Sequence, residues 1–253
     1  MRVAVTGATG TIGSAVVSAL RGRGDEVTEL SRSTNWPAPQ EEPPPADALR
    51  GQDAVVNLLG ERLDQRWSDE VKAEIRNSRV LGTRNLVAAL GSLPEAERPR
   101  TLVSQSAVGY YGARGDEPVP EDTPPGDDFL AHVVADWEAE ARAAEALGVR
   151  VVITRTGVVL SPAGGAISKM LPFFKAGVGG PVAGGRQYMA WVHVDDVAGA
   201  ILFALDTPTV SGPVNVTAPD PATNKELSRA LGRVLRRPAV APVPTLALKA
   251  LYG

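Results

Sequence analysis

The feature that most constrains the fold is a glycine triplet at the start of the chain. An apolar run over residues 2–6 leads into Gly7, Gly10 and Gly13, and apolar side chains at helical spacing follow. This strand–glycine–helix order is typical of the first βαβ unit of a dinucleotide-binding fold. There the first glycine permits a tight turn, the second lets backbone approach a pyrophosphate, and the third lets helix and strand pack closely. The sequence therefore predicts a phosphate-binding loop that is followed by a helix N-terminus.

The end of the second strand predicts which dinucleotide binds. Residues 26–30 have the pattern of this strand, and Ser31, Arg32 and Ser33 follow it. An acid about 20 residues past the glycines binds the ribose 2′-OH of NAD, whereas a cation suits the 2′-phosphate of NADP. We therefore predict NADP as the cofactor. Two alternatives are open: Arg32 is a solvent-exposed residue at a strand end, or Glu29 is the ribose acid in a different register.

Composition excludes several classes of protein. The 253 residues are 43% hydrophobic, with a net charge of −3 and no basic cluster, so nucleic acid is not an expected partner. The absence of cysteine excludes disulfides and thiolate sites, and two histidines are too few for a histidine-rich metal centre. No apolar stretch approaches the roughly 18 residues that a membrane helix needs. With a strand beginning at residue 2, we expect no signal peptide and a cytoplasmic location.

Strand and helix patterns alternate along most of the chain. Strands are predicted at 53–60, 101–104, 149–154 and 213–216, and helices at 68–90, 129–147 and 197–205. This alternation predicts an α/β fold with a Rossmann-type, doubly wound parallel sheet. The proline-rich residues 35–45 predict a loop.

Glycine-rich segments after residue 160 predict loops over the carboxyl ends of the strands. We therefore expect a Rossmann core over 1–160 and a small substrate lobe over 161–253 that is interleaved with it. Residues 246–253 have the pattern of a helix that is cut short.

Several segments resemble the extended short-chain dehydrogenase/reductase superfamily, in its NAD-dependent epimerase/dehydratase group. Residues 6–13 are similar to its cofactor fingerprint, and 191–198 to a segment that its members carry late in the chain. Others are similar to an atypical branch, the epimerase-family proteins formerly labelled cell-division inhibitors; they lie at 57–61, 77–79, 106–112, 126–130, 136–138, 155–160, 170–173 and 179–181. The resemblance covers almost the whole chain, and family members usually continue into a short C-terminal segment.

The resemblance implies an NADP-binding Rossmann fold, and we expect an epimerase-like oxidoreductase that acts on an unknown small carbonyl or hydroxyl substrate. It also implies that Leu58 and Leu59 contact the ribose region, that Glu74 and Arg79 reach the cofactor from the long helix, and that Val158 lies against the nicotinamide half. By family analogy a homodimer forms through the two long helices. Together with the motifs above, the predicted cofactor-binding residues are Gly7, Thr9, Gly10, Thr11, Ile12, Gly13, Ser31, Arg32, Ser33, Leu58, Leu59, Gly60, Glu74, Arg79 and Val158.

The catalytic residues that are usual in this superfamily are missing. Its members use serine, tyrosine and lysine, and the tyrosine and lysine stand four residues apart on one helix face. The helix where the resemblance places this pair, within 129–147, contains neither residue type. Ordinary tyrosine–lysine hydride chemistry is therefore not supported.

Ser106 and Tyr110 are two candidate catalytic residues. Ser106, or Ser104 in a shifted register, would donate a hydrogen bond to a substrate oxygen; the alternative is a satisfied hydroxyl at a strand end. Tyr110 and Tyr111 are near enough in sequence to reach the same cleft. A phenol without a neighbouring cation is a poor base at neutral pH.

His132 is the third candidate, as an acid or base with Asp136 one helical turn away; the alternative is an exposed histidine beside a solvated acid. We expect acids at 127–128 and 195–196 to cap the helices that follow them. Three functions remain open: an oxidoreductase, a non-catalytic NADP(H) sensor, and a structural module whose glycine loop is vestigial. An oxidoreductase needs a substrate pocket beside the nicotinamide, lined by Ser106, Tyr110 or His132, whereas a non-catalytic NADP(H) sensor can have that space filled.

Overall fold

A computed structural model describes residues 1–33, 35–162 and 164–241, except for the side chain of Ala166. The helix expected at 246–253 lies outside these ranges. The strands are β1 (Arg2–Thr6), β2 (Glu26–Leu30), β3 (Ala54–Asn57), β4 (Thr101–Ala107), β5 (Arg150–Thr156), β6 (Val158–Leu160), β7 (Tyr188–Met189), β8 (Trp191–His193), β9 (Gly212–Val216) and β10 (Ala222–Thr223). Six of them form one parallel sheet in the order β2-β1-β3-β4-β5-β9.

Helices cover both faces of this sheet, as the alternating pattern predicts. They are α1 (Thr11–Gly22), α2 (Ala46–Leu49), α3 (Asp69–Ser92), α4 (Phe129–Arg142), α5 (Gly165–Lys175), α6 (Val194–Asp206) and α7 (Asn224–Leu235). Helices α1 and α6 pack on one face, where Val16, Leu20 and Ile201 are fully buried against the sheet. On the other face Leu86 and Leu90 of α3 are buried in a second core, which α4 helps to cover.

The order of the strands places a crevice at one edge of the sheet. Strand β1 pairs with β2 on one side and with β3 on the other, each in parallel register. The connections after β1 and β3 therefore leave the sheet in opposite directions, and the carboxyl ends of these strands open between them. Such a switch point is where doubly wound sheets bind ligands.

The irregular stretch before β3 confirms the predicted loop. Regular structure is limited to the single turn α2, since the proline-rich segment cannot supply the backbone donors that a longer helix needs. Trp36 anchors the loop: its side chain is buried, and its indole N–H donates to the carbonyl of Glu42 at 2.8 Å.

The range 161–253 contributes to the central layers as well as to the periphery. Strand β9 is the edge strand beside β5, and α6 packs on α1. Two small sheets, β6–β8 and β7–β10, join α5 and α7 outside this core. None of the helices in the described part of the chain is long and apolar enough to cross a membrane.

Helix capping corrects one expectation and confirms another. The residue that caps α6 is His193, whose Nδ1 accepts from the backbone N–H of Asp195 at 3.3 Å. Asp195 and Asp196 instead lie in the first turn, where their negative charges interact favourably with the positive end of the helix dipole. Asp128 does cap α4, since its carboxylate accepts from the N–H of Ala131 at 2.9 Å.

Candidate cofactor site and catalytic positions

A cleft of about 1140 Å³ lies at the carboxyl ends of β1, β2 and β3. Most of the predicted cofactor-binding residues line it: Gly7, Thr9, Gly10, Thr11, Ser31, Arg32, Ser33, Leu58, Leu59, Gly60, Glu74 and Arg79. Ile12, Gly13 and Val158 do not line the cleft. Val158 begins β6, where its N–H donates to the carbonyl of Ala190 at 2.6 Å.

The turn after β1 has no room for side chains at two of its glycines. Gly7 has a φ of 63°, and a Cβ there would lie 2.5 Å from the carbonyl oxygen of Leu58. A Cβ on Gly13 would overlap the carbonyl oxygen of Gly7. The turn closes through a hydrogen bond from the N–H of Gly10 to that same oxygen at 3.0 Å. Glycine therefore keeps side chains out of the floor of the cleft, which leaves the backbone open to an anionic group.

The first turn of α1 is left without a cap. Gly10 occupies the N-cap position, no side chain in the described ranges bonds the first N–H groups, and the first turn holds no acid. Helices α3, α4 and α7 begin instead with capping side chains, from Ser68, Asp128 and Thr223 respectively. Unsatisfied N–H groups and the positive dipole end of α1 are suited to a phosphate.

Arg32 stands beside this turn with its guanidinium accessible. Its side chain is 70% exposed, and Nη2 lies 3.6 Å from Oε2 of Glu61. The hydroxyls of Ser31 and Ser33 lie 3.0 Å from each other and also line the cleft. Glu29 is bonded to Arg21 at 2.7 Å and does not line the cleft, so the register that would make it the ribose acid is wrong.

Arg79 from α3 braces the cleft wall. Its guanidinium donates to the carbonyls of Ile75 and Glu61, both at 2.9 Å, and lies 5.5 Å from the ring of Trp137. Burial lowers the pKa of Arg79 to about 10, partly offset by the charge of Glu61, so it remains protonated at neutral pH. The neighbouring Glu74 accepts from Nε2 of Gln40 at 2.6 Å.

An ion-pair bridge crosses the mouth of the cleft, and the sequence reasoning missed it. Residues 60–64, which we call the strap, follow β3 and line one side, while the first turn of α5 lines the other. Asp64 of the strap accepts from Lys169 of α5 at 2.7 Å and from Arg62 at 2.8 and 2.9 Å. Hydrogen bonds from Arg62 and Lys169 hold the pKa of the Asp64 carboxyl well below its usual range.

Under the cleft, a buried hydrogen-bond network joins both sheet and helices. Asn57, at the end of β3, accepts from the hydroxyl of Thr6 at 2.9 Å and donates to that of Thr83 at 2.9 Å. Trp137 of α4 donates to the same Thr83 oxygen at 2.9 Å, and the N–H of Leu58 donates to Thr6 at 2.9 Å. Buried polar groups are costly unless they are paired, so this network fixes the end of β3 and the loop that follows it.

The position of Ser106 corrects the role expected for it. Its side chain is fully buried and donates to Oε1 of Glu138 at 2.6 Å. Glu138 is 4% exposed and also forms a two-pronged ion pair with Arg155, which is 2% exposed. The hydroxyl is thus engaged with a carboxylate inside the protein, and it does not line the cofactor cleft.

Arg155 organises the two tyrosines. It donates to the phenolic oxygen of Tyr111 at 3.0 Å and to the carbonyl of Glu121 at 2.8 Å, and its guanidinium carbon lies 3.5 Å from the ring centre of Tyr110. Burial by itself lowers the pKa of Arg155, but the hydrogen bonds that it donates to Glu138 and Tyr111 outweigh burial and raise the pKa above its usual value. Tyr110 therefore has the neighbouring cation that sequence reasoning did not find, supplied by β5, but like Ser106 it does not line the cofactor cleft.

His132 is not brought to the cleft. It is exposed on α4 and does not line the cleft, and the carboxylate of Asp136 is bonded to Arg76 of α3 at 2.7 Å. The predicted pair of His132 with Asp136 is therefore wrong: Asp136 forms an interhelical ion pair instead. Within the described ranges, no three His, Cys, Asp or Glu side chains gather into a group that could hold a metal ion.

Comparison with known proteins agrees with this architecture. The model of the NAD dependent epimerase/dehydratase family matches residues 3–217. The chain is 42% identical to an Arabidopsis thaliana protein, "Epimerase family protein SDR39U1 homolog, chloroplastic", over 100% of this chain and 76% of that one. It is 35% identical to "Epimerase family protein YfhF" of Bacillus subtilis, over 100% of this chain and 86% of that protein.

Solved structures agree as well. The crystal structure of the human epimerase family protein SDR39U1 (isoform 2) with NADPH superposes with a TM-score of 0.90 at 37% identity, covering 100% of this chain and 86% of that one. A nucleoside-diphosphate sugar epimerase from Corynebacterium glutamicum superposes with a TM-score of 0.79 at 32% identity, covering 100% and 55% respectively.

Proposed function

This chain belongs to the NAD dependent epimerase/dehydratase family, and from that premise we propose that it binds NADP(H) and acts as an oxidoreductase on a small carbonyl or hydroxyl substrate. The observation that carries the proposal is the cleft, where an uncapped helix N-terminus and the accessible guanidinium of Arg32 face one space. The human relative crystallised with NADPH supports the same cofactor.

The residues present fit this dinucleotide. The side-chain-free turn at Gly7 and Gly10 lets the N–H groups of α1 reach a pyrophosphate. Arg32, with the hydroxyls of Ser31 and Ser33, would bind the 2′-phosphate through charge-assisted hydrogen bonds. When bound, the nicotinamide supplies hydride chemistry.

The reaction also needs a proton donor or acceptor, and the tyrosine and lysine that usually serve this role are missing from α4. The candidate proton carrier that we retain is the phenol of Tyr110, which is half-buried and has its ring stacked on the guanidinium of Arg155. Ser106 would act from within the protein, by fixing Glu138 and through it Arg155.

A second candidate function is a non-catalytic NADP(H)-binding sensor. One observation favours it: the serine expected to face a substrate is fully buried and bonded to Glu138.

An experiment in two stages separates these functions. The affinities for NADP and NADPH are measured first, and the absorbance of NADPH is then followed with a panel of aldehydes and ketones. Turnover that is lost in Tyr110→Phe supports the oxidoreductase with Tyr110 as proton carrier. Unequal affinity for the two forms without turnover supports the sensor, and failure to bind either form contradicts both.

A further inference from the structure

Glu61 places a carboxylate inside the part of the cleft that a 2′-phosphate would enter. Its side chain is 20% exposed and lines the cleft, with Oε2 3.6 Å from Nη2 of Arg32. An acid is unexpected beside a site for a phosphate, because like charges repel. Since Arg32 is the cation that we assign to the phosphate, one guanidinium faces two competing anions.

The backbone of Glu61 is held in place at both of its polar groups. Its N–H donates to the hydroxyl of Ser78 at 2.9 Å, and its carbonyl accepts from Arg79 at 2.9 Å. The hydroxyl of Ser78 donates in turn to the carbonyl of Ile75 at 3.2 Å. Helix α3 therefore fixes the position of Glu61, whereas Arg32 has a long and mostly exposed side chain that can turn between partners.

The geometry points to Glu61 as a residue that sets the preference between NADP and NAD. This inference rests on the proposed binding of NADP(H). The 2′-phosphate of NADP must draw Arg32 away from Glu61 and tolerate the nearby carboxylate. NAD carries no such group and leaves the pair of Arg32 with Glu61 intact. The Glu61 carboxylate therefore weakens the binding of NADP but not of NAD, and so reduces the difference between the affinities for the two cofactors.

The size of the effect follows from exposure. Arg32 is 70% exposed and its partner oxygen is 3.6 Å away, so solvent screens both the pair and the repulsion. We expect Glu61→Gln to strengthen NADP binding by about two- to fivefold, the range of a screened surface interaction, and to change NAD binding by less than about 1.5-fold.

The matched control is Glu29→Gln. Glu29 lies on β2, the strand that leads to Arg32, and its carboxylate is bonded to Arg21 at 2.7 Å outside the cleft lining. This variant removes the same charge from an arginine pair that joins α1 to β2 outside the cleft. It should leave the affinities for both dinucleotides unchanged, which separates a local effect from a change in net charge.

The experiment is a calorimetric titration of the wild type, Glu61→Gln, Glu29→Gln, Arg32→Ala and the double variant Arg32→Ala/Glu61→Gln with NADP and with NAD. The wild type is also titrated with NADPH. If Glu61 competes for Arg32, most of the gain from Glu61→Gln disappears in the double variant. A wild type that binds NADP while Glu61→Gln leaves the NADP-to-NAD affinity ratio unchanged, or lowers it, overturns the inference alone. A wild type that binds neither NADP nor NADPH overturns the proposed function instead.

Discussion

Replacing Glu138 with glutamine should destabilise the protein far more than the same replacement at Glu140, two residues along α4. Both carboxylates are paired with an arginine, but Glu138 is 4% exposed against Arg155 at 2%, whereas Glu140 is 21% exposed against Arg84 at 58%. The two changes therefore compare the same chemistry at a buried and at an exposed site on one helix.

The expected magnitudes follow from that burial. Removing one partner of a buried ion pair costs about 3–5 kcal/mol, because the remaining charge stays buried without compensation. Glutamine keeps the shape and can still accept from Ser106, and Arg155 keeps its bonds to Tyr111 and Glu121, so we expect the lower end, about 3 kcal/mol. An exposed pair contributes about 0–1 kcal/mol.

Urea denaturation followed by far-ultraviolet circular dichroism measures the difference. With a denaturant dependence of about 3 kcal/mol per molar, Glu138→Gln should lower the midpoint by about 1 M and Glu140→Gln by less than about 0.3 M. Equal midpoints for the two variants would refute the reasoning, because they would show that the pair of Glu138 with Arg155 is not a buried one in solution.

Three other changes make independent tests. Gly13→Ala should cost about 1–3 kcal/mol in chemical denaturation because its Cβ meets backbone, whereas Gly22→Ala in the same helix has open space; equal stabilities would contradict this. Lys169→Gln removes the bridge to Asp64, so NADPH should dissociate faster in stopped-flow fluorescence; an unchanged rate would show that the bridge does not retain ligand. Arg32→Ala should weaken NADP binding by about 2 kcal/mol in calorimetry and spare NAD; equal losses would exclude a phosphate role.

The sequence predicts those parts of the fold that depend on residues close together in the chain. The glycine turn follows from spacing, since Gly7 and Gly13 have no room for a side chain. The parallel sheet follows from alternating strand and helix patterns, and the family from motifs spread along the chain. The loop before α2 follows from proline, which cannot donate the bonds that a helix interior needs.

The parts that the sequence does not predict depend on contacts between distant residues. The bridge between Asp64 and Lys169 joins residues 105 positions apart, and no motif marks either of them. Ser106 is identified from its position, but its burial depends on how α4 packs over β4 and brings Glu138 to it. His193 caps α6 in place of the acids that follow it, because a ring nitrogen can also accept from the first N–H groups.

The most direct test of the central claim is calorimetric titration of the purified protein with NADP, NADPH, NAD and NADH. The cleft with its uncapped helix and Arg32 predicts tight binding of NADP and NADPH and much weaker binding of NAD and NADH. The absence of binding to all four dinucleotides would contradict this prediction, and so would equal affinities for the forms with and without the 2′-phosphate.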